Sequence, residues 1–174
     1  AGKVQFAIEP VDVGALVRDV VAGFEGQPRP ATLALVAEVP PALAPAPADA
    51  ARLRQVVVNL VGNALKFTAA GGVRVTVEAG GDGRPHAIAV RDTGIGIAPE
   101  RQHAVFQAFE QADAFTTRQF GGTGLGLAIS RQLCQGMGAD LVLASTPGVG
   151  STFRIVFAAE PAPIDDAPVL TAVA

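Results

Sequence analysis

Three short stretches of the chain carry groups suited to a nucleotide and its metal ion. Asn59, Asn63 and Lys66 fall at i, i+4 and i+7, which stacks two amides and one ammonium on a single helical face. Amide oxygens are hard ligands of the kind Mg²⁺ accepts while it keeps several waters. Lys66 would add a point charge beside phosphate. Asp92 follows Ala87-Ile88-Ala89-Val90 and precedes Thr93-Gly94-Ile95-Gly96. A carboxylate at a strand end can accept hydrogen bonds from a flat donor such as an exocyclic amine. Gly94 and Gly96 let backbone approach a ligand closely and take positive φ. Further on, Gly121-Gly122-Thr123-Gly124-Leu125-Gly126-Leu127 opens a helix. Free N–H groups and the positive end of a helix dipole suit phosphates.

Each stretch taken alone also fits a plainer role. The two amides would cap neighbouring loops, and Asp92 would close an Asx turn. Neither glycine loop completes G-x-x-x-x-G-K-[ST] or G-x-G-x-x-G, which removes the P-loop and dinucleotide-fold readings.

The elements that must position these groups follow from periodicity. Val4, Phe6 and Ile8 alternate up to Pro10 and predict an opening strand. Val13, Leu16, Val17, Val20 and Val21 predict a helix over 11–24, and Thr32 to Val39 reads as a strand. Residues 40–47 form a proline-alanine connector, too rich in proline for helix or inner strand. Asp49 is the expected N-cap of a helix running to about Thr68, ended by Gly71-Gly72. Val73 to Val77 and Ala87 to Val90 predict a hairpin. Pro99 and Glu100 fit the first turn of a short helix carrying Val105, Phe106 and Phe109. Residues 111–122 read as a long functional loop. A helix is expected over 125–135, then a hairpin from Leu141–Ala144 and Thr152–Phe157. The expected fold is α/β, a mixed sheet with helices on one face.

Bulk properties narrow the class. The 174 residues suit one domain with a sizeable core, and 49% hydrophobic content makes it globular. Net charge is −3, against sequence-wide attraction to nucleic acid or anionic lipid. The one cysteine, Cys134, cannot form an internal disulfide, and a reducing, cytoplasmic setting fits. No run approaches the roughly 18 apolar residues of a membrane span. The only methionine is Met137, so the chain reads as a piece of a longer protein. A domain over 1–159 and an alanine- and proline-rich linker over 160–174 are expected.

These motifs resemble, in order, those of the ATP-binding catalytic domain of bacterial sensor histidine kinases. Residues 52–68 look like the N box and Asp92-Thr93-Gly94-Ile95-Gly96 the G1 box. Phe106-Gln107-Ala108-Phe109-Glu110 resembles the F box, and Gly122-Thr123-Gly124-Leu125-Gly126-Leu127 the G2 box. Gly150-Ser151-Thr152-Phe153 resembles the closing strand motif. Residues 111–118 are similar in style to hybrid kinases, which carry a receiver domain further on. The resemblance implies a Bergerat-type two-layer α/β sandwich that binds ATP and Mg²⁺. Asp92 would read the adenine amino group, together with Thr152 and water, between the close backbones of Gly94 and Gly96. Asn59 and Asn63 would hold Mg²⁺, and Lys66 would contact phosphate. Phe67 would pack beside the nucleotide. Gly122, Thr123, Gly124, Leu125 and Gly126 would hinge a lid over the triphosphate, with Arg118 on the γ-phosphate.

The family's acceptor is a histidine followed by an acidic residue on a dimerisation helix. Here His86 precedes Ala87 and His103 precedes Ala104, so neither fits. The implied activity is transfer of the γ-phosphoryl group to a histidine of a separate dimerisation and phosphotransfer domain, with a receiver domain as onward partner. The domain would be cytoplasmic, without direct membrane contact, on a parent open to membrane anchoring. Two other readings remain at this point. ATP-hydrolysing clamps of the same superfold carry a glutamate base one turn before the metal-binding asparagine, where this chain has Asn59, which cannot take a proton. A non-catalytic ATP-sensing or docking module is the other, although such domains usually lose the asparagine or lid glycines kept here.

Overall fold

The computed structural model describes residues 5–107 and 125–157. Five strands form one mixed sheet: β2 (Leu33–Glu38), β4 (Gly71–Ala79), β5 (Pro85–Asp92), β7 (Gly150–Phe157) and β6 (Ala139–Thr146), in that spatial order. Only β2 and β4 run parallel, and the connection between them contains helix α2 (Ala50–Lys66), as a parallel crossover requires. Helices α1 (Val13–Glu25) and α3 (Gly126–Gly136) complete the second layer.

Strand alternation sorts the sheet's two faces. Val73, Val75, Val77, Ile88, Val90, Phe153, Ile155 and Leu141 point inward and are buried. They meet Leu16, Val17, Val20 and Val21 of α1, Leu53, Val56, Val57, Leu60 and Val61 of α2, and Leu133 and Cys134 of α3. The opposite face carries Ala34, Val36, Arg74 and Val142, all exposed. Two ion pairs cross it, Arg74–Glu38 at 2.8 Å and Arg154–Glu78. The expected two-layer α/β architecture with helices on one face is therefore the one observed.

Three local expectations are corrected. The opening strand is Glu9–Val11 (β1), later than the alternation at Val4, Phe6 and Ile8 predicts. The Ala7 N–H instead donates to Asp49 Oδ2 at 3.0 Å, and Ile8 is exposed. The proline-alanine connector ends in a short strand, β3 (Ala46–Ala48), which pairs only with β1. Pro10 and Pro47 face each other in this two-stranded ladder, where a missing N–H costs least. The short helix after Pro99 is two 3₁₀ turns, Pro99–Arg101 and Ala104–Phe106. Between them the Gln102 side chain donates to Ile97 O (3.0 Å) and Ser145 O (2.9 Å), which ties this segment to β6. Phe109 and the 111–122 loop lie outside the described residues, as does the expected linker over 160–174.

Cys134 is fully buried and its thiol is pushed up to about 12, first by desolvation and then by Asp140. Because the thiolate is the reactive form, native protein at pH 8 should resist iodoacetamide, and denatured protein should label fully. Rapid labelling of the native state would contradict this placement.

Candidate functional site

Helix α2 is the site's spine. Asp49 caps it, accepting from Arg52 N at 3.0 Å, and these backbone bonds, with that from Ala7, hold its carboxyl below the usual range. The apolar stripe through Leu53, Val57, Leu60 and Val61 locks the helix onto the sheet and leaves Asn59 and Asn63 half-buried at the layer's edge. At its end Thr68 Oγ1 donates to Ala64 O (2.7 Å) and Phe67 N to Asn63 O (3.0 Å). Lys66 Nζ lies 5.1 Å from the Phe67 ring centroid.

The loop after β5 closes on this helix end. Ile95 N donates to Phe67 O at 3.3 Å, and a Cβ on Gly94 would sit 2.3 Å from that same oxygen. Gly94 is thus required by close approach. Gly96 has φ +69°, and a Cβ there would meet Thr146 O at 2.1 Å. On the far side Gly148 N donates to Ile95 O at 2.8 Å. Asp92, 6% exposed, ends β5 inside this frame. Its Oδ1 accepts from Gly94 N (2.8 Å) and Ser151 N (3.3 Å). Burial raises the Asp92 pKa, with these two bonds opposing.

Helix α3 supplies the other wall. Asn59 Nδ2 donates to the buried Ser130 Oγ at 2.9 Å. The first turn of α3 lies against the same amide, since a Cβ on Gly126 would be 2.7 Å from Asn59 Oδ1. Leu125 caps α3 without a side-chain bond of its own. Phe106 packs edge-on against Phe153, centroids 6.3 Å apart, and Arg131 of α3 lies 5.0 Å over the Phe106 ring. The Phe106 ring is thus a packing bridge from sheet to α3.

The structure brings Asn59, Leu125 and Gly126 together at the middle of α2, and Phe67, Asp92, Gly94 and Gly96 at its C-terminal end, with Asn63 and Lys66 on the helix between them. Gly122, Thr123, Gly124 and Arg118 lie outside the described residues. Thr152 is corrected. It pairs with Arg91 across β5–β7, so it stands on the opposite face from Asp92, whose partner is Ser151. The clue lay in the sequence: Phe153 belongs to the core, and period two puts Ser151 on its face. Ser130, Ser145 and Gln102 were not singled out either, because hydroxyls and amides facing a distant element leave no local pattern.

Gly126→Ala should lower nucleotide affinity by about tenfold by pressing on the Asn59 amide, with little loss of stability because alanine favours helix. Calorimetry and a thermal melt check this, and full affinity would show that the contact is not needed.

Residues 48–161 match the family described as histidine kinase-, DNA gyrase B- and HSP90-like ATPase. The sensor protein GacS of Pseudomonas syringae pv. syringae is 48% identical over 110 residues, 62% of this chain and 12% of its own length. The histidine-protein kinase BarA of Escherichia coli K12 is 47% identical over 108 residues, 60% of this chain and 12% of its length. The chain thus spans about an eighth of these relatives. Among solved structures, full-length ShkA in complex with AMPPNP superposes with a TM-score of 0.72 at 34% identity, over 91% of this chain and 33% of that one. The mycobacterial sensor histidine kinase MprB gives 0.67 at 26%, over 87% and 97%. The chain belongs to the histidine kinase-, DNA gyrase B- and HSP90-like ATPase family and is homologous to the catalytic ATP-binding domains of sensor histidine kinases.

Proposed function

We propose that this domain binds Mg-ATP and transfers its γ-phosphoryl group to a histidine on a separate dimerisation domain. The observation that carries the reading is Asp92, a buried carboxylate with both backbone bonds on Oδ1, leaving Oδ2 to accept from an exocyclic amine. Ser151, rather than Thr152, stands beside it on the same face. Gly94 and Gly96 frame the base, and Phe67 packs beside the nucleotide.

The α2 amides fit a magnesium ion. Asn59 commits its Nδ2 to Ser130, so its oxygen remains the free end of the amide. Among the described residues no cluster of three or more His, Cys, Asp or Glu could hold a metal. Such a donor set suits an ion that takes one or two protein oxygens and completes its shell with phosphate and water. When bound, the ion would neutralise charge developing on the phosphates. Asn59 and Asn63 hold it, Lys66 adds positive charge, and the free N–H groups at Leu125 and Gly126 face the anion from the start of α3. In this proposal the 122–124 lid and Arg118 complete the phosphate contacts.

The acceptor imidazole attacks in line, an N–P bond forms, the bond from γ-phosphorus to the bridging oxygen breaks, and ADP leaves. The imidazole proton passes to a base on the other domain. This chain supplies positioning and electrostatics. Asn59 stands where a water-activating carboxylate would be needed, which disfavours hydrolysis. A receiver domain is the onward partner, and the cytoplasm is the site of action.

The test pairs this chain with the parent's dimerisation domain and γ-labelled ATP. Acid-labile, base-stable label should appear on that domain, and Asn63→Ala should reduce it about 10- to 100-fold, as loss of a metal-positioning group does. Mg-ATP binding without transfer in the presence of a folded acceptor would instead favour an ATP-sensing docking module.

A further inference from the structure

Helix α3 carries one hydroxyl among its buried residues, the others being Ala128, Leu133 and Cys134. That residue, Ser130, is 2% exposed, and its Oγ accepts from Asn59 Nδ2 at 2.9 Å across 71 positions of chain. Serine is a poorer helix former than alanine, and a buried hydroxyl costs free energy unless it is bonded. Packing alone therefore does not account for it. Gly126 stands one turn earlier on the same face of α3. A Cβ there would lie 2.7 Å from Asn59 Oδ1 and 3.2 Å from Nδ2. Gly126 and Ser130 thus clasp a single amide of α2 between them.

A side-chain amide has two unlike ends of similar size, and turning it about its last bond exchanges oxygen and nitrogen with little change of shape. A cation is drawn to the oxygen and repelled by the NH₂ group. With a cation at Oδ1, only the nitrogen can face Ser130, so the orientation in the structure is the one such an ion requires. The bond does two things for the oxygen. It removes rotation of the amide, and it polarises the group so that Oδ1 becomes a better donor to a metal.

We propose that Ser130 is a positioning residue for the metal, which holds the Asn59 amide with its oxygen turned to the Mg²⁺ of bound Mg-ATP. Because the bond joins α2 to α3, it also makes metal affinity depend on the position of α3. This inference rests on the nucleotide reading above and adds what orients one of its metal ligands. Ser130 acts through Asn59 and needs no contact with metal or nucleotide.

The probe is the β,γ-imido analogue of ATP, titrated by calorimetry with Mg²⁺ and again with EDTA. The ratio of the two affinities measures the metal's share of binding. Ser130→Ala should cut that ratio about tenfold, as loss of a partner behind a metal ligand does, while affinity in EDTA stays at the parent's value. The melting temperature should not fall, because alanine favours helix and half-buried Asn59 is within reach of water. In an Asn59→Ala background the same change should leave the ratio unaltered. In a ¹⁵N-labelled chain without ligand, the Asn59 side-chain NH₂ protons should exchange with solvent faster in Ser130→Ala than in the parent. Ser130→Cys, a near-isosteric weak acceptor, should give an intermediate ratio, and it stands in if the alanine variant does not fold. Equal losses with Mg²⁺ and with EDTA would reduce Ser130 to a packing residue and overturn the proposal, as would unchanged NH₂ exchange. A parent chain that does not bind the analogue, or binds it equally with Mg²⁺ and EDTA, would overturn the Mg-ATP reading itself, and this inference with it. Magnesium-dependent binding by the parent that Ser130→Ala leaves intact would spare that reading and sink this inference alone.

Discussion

Replacing Asp92 by Asn should cost about 10- to 100-fold in affinity for a non-hydrolysable ATP analogue while raising the melting temperature. The affinity loss follows from removing a charged acceptor inside a buried site, where a hydrogen bond to an ionised group is worth about 1.5–3 kcal/mol. An amide also brings an NH₂ group that confronts the ligand amine. The gain in stability follows from the direction of the Asp92 shift. Burial raises its pKa, so the folded chain holds its proton at pH values where the unfolded chain has released it. The contribution of such a group to stability is therefore lost as pH rises above the usual carboxylate range, and at pH 7 the ionised carboxylate destabilises the fold. Asparagine keeps an acceptor for Gly94 N and Ser151 N and removes that penalty. For the same reason parent affinity should fall as pH drops toward the raised pKa, and Asp92→Asn should not share that dependence. A destabilised variant with intact affinity would show that Asp92 is a structural turn residue.

Gly150→Ala should be the most damaging single methyl, destabilising the domain by about 3 kcal/mol and lowering the melting temperature by about 10 °C. Gly150 has φ +130°, a region that residues with a Cβ rarely adopt. A Cβ there would lie 2.0 Å from Asp92 O and 3.0 Å from Thr93 Cα, both backbone, so no side chain can yield. Relief requires β5 and β7 to part at the Asp92–Ser151 pair, so nucleotide affinity should fall with stability. Gly81→Ala is the control, since nothing lies within 4 Å of the added methyl. Urea denaturation of both variants decides the matter, and equal stability would refute the backbone contact.

What the sequence made legible was whatever is written locally. The stripe from Leu53 to Val61, the Asp49 cap and the Asn59–Asn63–Lys66 face all lie on one helix, where spacing alone sets neighbours. Asp92 with Gly94 was equally plain as a turn, because the Gly94 N–H reaches Asp92 Oδ1 within three residues, whereas the close approach to Phe67 O spans distant positions. What depended on pairing between distant strands was not. Thr152 and Ser151 differ by one position; period two from Phe153 picks the core-facing hydroxyl, but that it lies opposite Asp92 is set by the β5–β7 register. The Asn59–Ser130 bond spans 71 positions and Ser145–Ile97 spans 48, so neither leaves a periodic trace. The opening strand was displaced for a related reason. The Asp49 carboxylate, 42 residues away, captured the Ala7 N–H that a strand would have used.

The proposed function requires a nucleotide between α2, the Asp92 loop and the start of α3. Its most direct test is a ¹⁵N-labelled spectrum of the chain titrated with magnesium and a non-hydrolysable ATP analogue. The largest shifts should fall at the Gly94 and Ser151 amides and at the Asn59 and Asn63 side-chain NH₂ groups, with the latter pair lost from the response when EDTA replaces magnesium. Shifts confined to other surfaces, with Gly94 and Ser151 unmoved at saturating ligand, would contradict it.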